Sequence, residues 1–593
     1  MSKSSPGPRA GSARSKPAQT SARRRRAAGR PEHEQATLFE LAAPAPAPAP
    51  SQAPHPPAAE PAEAPARPAG RTRGARRTVG AQEMAARQRD ISVSEFFTKN
   101  RHLLGFDNPR KALLTTVKEA VDNALDACEE AGIVPEVEVA IEQLAEDRFV
   151  TRVRDNGPGI VREQIPKVFG KLLYGSKFHR YRQSRGQQGI GISAAGMYGL
   201  LTTGRPVVVT SKTGPRKAAH HYEIAIDTRA NRPEILHDAT VEDAAIPQGT
   251  EVAITLEGQF QRGRRSVDEY MELTALANPH GTFRYRSPGS EPVVWERVTS
   301  ELPPEAREIK PHPHGVELGT LLKILRDSDN RHLAEALVAN FSRVSPQVAA
   351  EICAKAKVSP KANPRTLDTR AVELLYRAIP HVKILAPPTN CLVPIGAELI
   401  ERALRQRIKA DFFAACSRPP AVYRGNPFLV EVGLAYGGGL PADELVDVLR
   451  FANRVPLLYQ AGACAITKGV VGTNWRSYGL PQSKGAPPSG PAILFIHIAS
   501  VWVPFTSESK EAVASYPEIV KEIRLALMDV GRRLGGFLKR RARAAAEEKK
   551  LGYITKYIPQ IGIALQDILA LKDPQRDAAV LQLKDILERS RTV

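Results

Sequence analysis

The stretch that most constrains the fold is Pro109–Gly132, PRKALLTTVKEAVDNALDACEEAG, because it reads as a helix with two unlike faces. At about 100° per residue, Leu114, Val117, Val121, Leu125 and Cys128 gather on one side, and Glu119, Asp122, Asn123 and Asp126 on the other. An exposed helix usually pairs its acids with Lys or Arg at i,i+4. This arc reads as three carboxylates and an amide without a cation, so it is expected to face a pocket that receives one. Alternating runs follow: VEVAIEQL, RFVTRVRD, RPVVVTSK, HYEIAID and EVAITLEG, each with the period of a half-buried strand. A helix with strands packed on one face predicts an α+β layer domain.

Farther along, the pattern turns helical between Pro303 and Pro380, in LGTLLKILR, HLAEALVANF and PQVAAEICAKA. A second strand-rich region begins near Lys383 and includes FLVEVGLAYG and AILFIHIASVWVPF. It is expected to end in an amphipathic helix over Pro517–Lys550, with a further helical pattern in IPQIGIALQDILALK. Residues 1–90 differ from all of this. They carry the run Arg23–Arg26, an alternating Ala/Pro tract from Ala43, and 16 Lys and Arg against 7 Asp and Glu. Such a composition buries too little apolar surface to offset ordering entropy, so a disordered basic tail is expected.

The net charge of +21 makes an anionic partner plausible, nucleic acid foremost. Five scattered cysteines with no CxxC pair argue against zinc and disulfides and fit a reducing compartment. No apolar run reaches the roughly 18 residues that span a bilayer, and no signal-peptide pattern opens the sequence. An intracellular protein without a membrane segment is the expectation.

Two glycine-rich segments complete the chemistry. RVRDNGPGI ends a strand at Asp155 in a tight turn, and SRGQQGIGISAAGMYG runs from a loop into a helix. The second contains Gly189-x-Gly191-x-x-Ala194, but FHRYRQSR before it is no apolar strand, so a dinucleotide fold is a poor reading. No GxxxxGK[ST] occurs either. Backbone N–H groups at the start of a helix suit anionic phosphates, and the glycines suit a lid.

Taken in order, these pieces resemble the GHKL (Bergerat) ATP-binding fold shared by gyrase-type topoisomerases, MutL, heat-shock chaperones and histidine kinases. The matching residues are Glu119 and Asn123, Asp155-x-Gly157-x-Gly159, Gly186-x-x-Gly189-x-Gly191, and Gly249-Thr250. The resemblance implies ATP and Mg²⁺ as cofactors. Glu119 is then the catalytic base and Asn123 the Mg²⁺ ligand. Asp155 accepts the adenine amino group beside Gly157 and Gly159, with Thr250 in support. Gly186, Gln187, Gln188, Gly189, Ile190, Gly191, Ile192 and Ser193 form the phosphate loop, and Ser176 and Lys177 line the same pocket. Asp122 and Asp126 receive no assigned chemistry and are expected at the rim or behind the site.

From Ile91 to the C-terminal region the chain is similar to the B subunits of the type IIB DNA topoisomerases, the topoisomerase VI family. NRHLLGFDNPRKALLTTVKEAVDNALDACEEAGI and NRVPLLYQAG carry that likeness. It implies a multidomain α+β chain. Residues 91–302 would be the ATPase domain with a dimer strap over Ile91–Gly105, 303–379 a helix–two-turn–helix domain, and 380–550 a transducer. Residues 551–593 would dock the A subunit. The likeness also implies a transducer lysine that reaches the γ-phosphate. Lys510 in FTSESKEAV is favoured over Lys468 in AITKG by its place after the strand AILFIHIASVWVPF. The implied activity is an ATP-hydrolysing type II DNA topoisomerase in an A₂B₂ heterotetramer. It would dimerise on ATP around double-stranded DNA, in the cytoplasm and on the nucleoid. The rival reading is a nucleotide-gated clamp or chaperone.

Overall fold

The computed structural model describes residues 84–85, 91–175, 180–186, 189–242, 246–507 and 509–589. The expected tail over 1–90 therefore lies outside the described residues, apart from 84–85.

The opening helix spans Pro109–Glu130. The Asn108 side chain caps it by accepting from the Arg110 N–H, and Pro109 occupies the first turn, where its missing N–H costs nothing. Its apolar face, with Leu114, Val117, Val121 and Leu125, is buried in one core with Val137, Val139, Ile141, Phe149 and Val153. Each such side chain contributes about 1.5–3 kcal/mol on leaving water. The partners come from an eight-stranded sheet: β1 (Glu136–Ala145), β2 (Arg148–Asp155), β3 (Val207–Lys212), β4 (Ala219–Asp227), β5 (Arg232–Val241), β6 (Gly249–Glu257), β7 (Thr282–Arg286) and β8 (Val293–Trp295). The order across the sheet is β5-β4-β3-β6-β2-β1-β7-β8. Only the β1–β7 pair is parallel. This order sets the ends of β2 and β6 side by side, with Arg154 opposite Glu251.

A second, six-stranded sheet contains β9 (Phe412–Ser417), β10 (Ala421–Tyr423), β11 (Asn426–Tyr436), β12 (Asp447–Ala452), β13 (Val455–Pro456) and β14 (Ala492–Ser500). β11 runs antiparallel to β14, and β9 and β10 share its other edge. Both faces are covered. On one, Ile519, Ile523, Leu527 and Val530 of a long helix pack on Val432, Leu434, Leu494 and Ile496. On the other, Ile400 and Leu404 of the Ala397–Arg407 helix share a core with Phe451, Phe495 and with Leu273 and Leu276 of the Val267–Ala277 helix. That core ties the second sheet to the first and brings the segment after β14 toward the opening helix. Four helices, Leu318–Arg326, Leu333–Asn340, Pro346–Ala356 and Thr369–Ala378, form a separate core around Leu325, Leu337, Ile352 and Leu375.

The α+β architecture is the one the sequence pattern predicts. The C-terminal helix is not. It runs unbroken over Pro517–Leu569, through Pro559, instead of ending at Lys550. A final helix, Asp573–Arg589, folds back against it, with Val580 seated on Gly562 and Arg576 bonded to Gln566. Those contacts hold the turns beyond Pro559 helical although proline removes one backbone donor.

Candidate functional site

A cavity of about 290 Å³ lies along the polar face of the opening helix. Glu119, Asn123, Asp155, Gly159, Gly186, Gly189, Ile190, Gly191, Ile192, Ser193, Thr250 and Lys510 all line it, although they span nearly 400 residues of chain. Gly157 joins them through its N–H, which donates to Asp155 Oδ1 at 2.8 Å. Ser176, Lys177, Gln187 and Gln188 lie outside the described residues.

At the Asp155 end the backbone does the work. Asp155 Oδ1 accepts from the N–H of Gly157 and, at 3.2 Å, from that of Thr250 across the β2–β6 boundary. Oδ2 takes no partner among the described residues. Burial pushes the Asp155 carboxyl up to about 6, and the two backbone donors hold it from rising further. The Thr250 hydroxyl lies 3.0 Å from Ser211 Oγ, which also accepts from the Ile160 N–H. Two glycines let these strands close up. A Cβ on Gly249 would stand 2.0 Å from the Asp155 carbonyl oxygen, and one on Gly159 2.4 Å from that of Lys212; both glycines have positive φ.

The Glu119 end is built differently. The Glu119 carboxylate rests against the first residue of the Gly191–Thr203 helix, where a Cβ on Gly191 would come within 1.7 Å of Oε2. Asn123 is exposed on the next turn, and a Cβ on Gly186 would lie 3.6 Å from its Oδ1. The Ser193 hydroxyl is engaged within the protein, donating to the Val168 and Lys171 carbonyls. Lys510, with φ of 53°, donates from Nζ to the Arg185 carbonyl at 3.2 Å. Lys468 sits in the Ala465–Val471 helix and does not line the cavity.

The acidic arc does not lack cations, contrary to the reading of the sequence. Arg185 reaches back to Asp126 at 2.9 Å and Glu129 at 2.7 Å, and the Gly186 N–H donates to Asp126 at 3.3 Å. Burial opposes charge on both Glu129 and Arg185, but their mutual attraction outweighs it. Glu129 is held well below the usual carboxylate range and Arg185 is raised. Asp122 is buried and accepts from the Tyr270 hydroxyl at 3.2 Å; loss of water pushes it up to about 7. Neither Asp122 nor Asp126 lines the cavity. Lys118 and Lys111 do, from the same helix. Lys111 pairs with Asp107 at 3.2 Å and with Glu511, next to Lys510.

Arg185 stands 59 residues from Asp126 in sequence, so no local pattern pairs them. The two lysines are legible. On the helical wheel Lys118 lies about 40° from Asp122, at the margin of the acidic arc. Among the described residues no cluster of three or more His, Cys, Asp or Glu is arranged to hold a metal, and no helix is long and apolar enough to cross a membrane.

Comparison with known proteins places two families on the chain. Residues 108–258 match the histidine kinase-, DNA gyrase B- and HSP90-like ATPase family, and residues 387–550 the topoisomerase VI B subunit transducer family. The B subunit of type 2 DNA topoisomerase 6 from Methanococcoides burtonii is 49% identical over 504 residues, 85% of this chain and 81% of that one. Its counterpart from Archaeoglobus fulgidus is 47% identical over 511 residues, 86% of this chain and 84% of its own. Among solved structures, the B subunit of the DNA gyrase from Myxococcus xanthus aligns with a TM-score of 0.36 at 12% identity, covering 74% of this chain and 95% of that one.

Proposed function

The chain belongs to the family of type 2 DNA topoisomerase 6 B subunits, and from that premise we propose that it binds and hydrolyses ATP to drive duplex passage through a break made by an A subunit. The observation that carries this reading is the convergence of Glu119, Asn123, Asp155, Thr250, Gly186, residues 189–193 and Lys510 on one cavity. ATP lies with its adenine amino group on Asp155, whose Oδ2 is free to accept while Oδ1 is held by the backbone. The phosphates lie along the start of the Gly191–Thr203 helix, where backbone donors favour anions.

Glu119 takes the proton of the attacking water. A positioned base of this kind contributes about 10²–10⁴-fold. Asn123 fits Mg²⁺: a neutral, exposed amide oxygen on the cavity wall adds a hard ligand without repelling the triphosphate. Mg²⁺, when bound there, neutralises charge on the transferred group. Lys510 supplies the contact that differs between triphosphate and diphosphate, so nucleotide state biases the second sheet against the first. Two copies close around a duplex on ATP binding, with Ile91–Gly105 as the strap, and hydrolysis reopens them.

The helical region at 303–379 is the helix–two-turn–helix domain, and 380–550 is the transducer. The described part of 551–593 carries exposed Tyr553, Ile561, Ile563, Leu581 and Ile586, apolar side chains suited to an A subunit in an A₂B₂ assembly. The protein works on DNA in the cytoplasm, at the nucleoid.

The test is relaxation of supercoiled DNA by the reconstituted A and B subunits. Wild type is expected to relax DNA only with ATP, and Glu119→Ala to abolish it. Relaxation that proceeds without this chain would overturn the topoisomerase reading, and undiminished ATP hydrolysis in Glu119→Ala would overturn the choice of base.

A further inference from the structure

Three described lysines line the cavity, and two of them are engaged. Lys111 is held by Asp107 and Glu511, and Lys510 by the Arg185 carbonyl. The third, Lys118, forms no hydrogen bond or ion pair among the described residues. Glu119, Asp122 and Glu511 are near enough to attract it, but none bonds to it: Asp122 accepts from Tyr270, Glu511 pairs with Lys111, and Glu119 rests against Gly191. Burial lowers the Lys118 pKa, the three carboxylates oppose that, and Lys510 adds its repulsion. A partly buried ammonium without a partner is costly to keep, yet this one faces the cavity beside the base.

From its place on the wall of the cavity that Lys510 also lines, and its lack of a partner among the described residues, we infer that Lys118 is a second cationic ligand for the terminal phosphate of the bound nucleoside triphosphate. The inference rests on the ATP reading above and adds a residue to it. Its position gives it a role that Lys510 cannot fill. Lys510 arrives on a loop beyond β14, whereas Lys118 is carried by the same helix as Glu119 and Asn123. Lys118 therefore favours triphosphate over diphosphate before the loop makes its own contact. It also holds the terminal phosphate next to the base.

The test compares binding of the β,γ-imido analogue of ATP and of ADP, each with Mg²⁺, to the full chain by calorimetry. Wild type is expected to prefer the analogue. Lys118→Met should reduce that preference about ten- to a hundredfold, the scale of one charge-assisted hydrogen bond, while ADP affinity changes by less than about threefold. Lys118→Arg keeps the charge and should retain most of the preference. The melting temperature of the nucleotide-free Lys118→Met protein should not fall, since no hydrogen bond or ion pair among the described residues is lost. Lys118→Gln gives the same comparison should the methionine variant not fold. Unchanged preference in the Met or Gln variant, or equal weakening of both nucleotides, would overturn the inference and leave the ATP reading standing. Failure of wild type to bind either nucleotide would instead remove the ATP reading on which it rests.

Discussion

The two ends of the cavity solve opposite problems. At the Asp155 end, three strands and a turn are knitted together by backbone donors and the Ser211–Thr250 pair, and two glycines are required for the approach. One carboxylate oxygen is left over, already aimed by its neighbours. At the Glu119 end, Glu119 and Lys118 have no hydrogen bond within the described protein, Asn123 is exposed, and Lys510 is drawn from another sheet. The first end is preorganised to recognise one shape; the second leaves Glu119 and Lys118 uncommitted among the described residues, for the phosphates proposed to lie there. An end that only binds can be satisfied in advance, whereas an end that acts must gain its contacts from the ligand.

That division can be broken most sharply at Glu119. Glu119→Gln keeps the side chain's size and removes its basicity, so turnover should fall about 10²–10⁴-fold while nucleotide affinity stays near wild type. Phosphate release and equilibrium binding measured on one preparation check both halves. A matching fall in affinity would mean that this end also binds the ground state strongly. Asp155→Ala is the reciprocal change. It leaves the Gly157 and Thr250 donors without their acceptor and removes the proposed adenine contact. ATP affinity should fall about ten- to a hundredfold, and the preference for ATP over GTP should go with it. Retained adenine preference in that variant would place base recognition elsewhere.

The preorganised end is the more legible in sequence, for a physical reason. Its strands alternate, its turn is spelled by DNGPG, and its key residues follow one another along β2 and β6. β5 carries no such mark: it is an edge strand, exposed along most of its length, without apolar alternation. The helix through Pro559 departs from its sequence because proline argues locally for a break, while packing against Val580 decides otherwise. At the uncommitted end, Glu119, Asn123 and the glycine loop are visible as motifs. Their surroundings are not, since Arg185, Tyr270 and Glu511 reach the helix only through the tertiary fold. Lys118 is visible too, but an arc drawn tightly around the acids stops one residue short of it.

The smallest effect separates the ends by sign. Asp155 sits near pH 6 and Asp122 near pH 7, both raised mainly by burial. If Asp155 accepts the adenine amino group as proposed, its ionised form does so best, and nucleotide affinity should weaken as pH falls through about 6, roughly tenfold by pH 5. Asp122, bonded to Tyr270, lies behind the end proposed to receive phosphate, where a negative charge would repel the ligand. Its protonation should therefore strengthen binding as pH falls through about 7. Affinity is then expected to peak between the two values. Asp122→Asn should flatten the alkaline limb and leave the acid limb in place, which separates the protein's titration from that of the nucleotide. Stability carries the same signature. A carboxyl with a raised folded-state pKa binds its proton more tightly folded than unfolded, so its burden on the fold is fully present above the folded value. That burden is relieved as pH drops toward the unfolded value. Unfolding midpoints in denaturant at pH 8 and pH 6 should accordingly lie closer together in Asp122→Asn than in wild type. Equal spacing would show that Asp122 does not change its charge between pH 6 and pH 8, and the alkaline limb of binding would then need another titrating group.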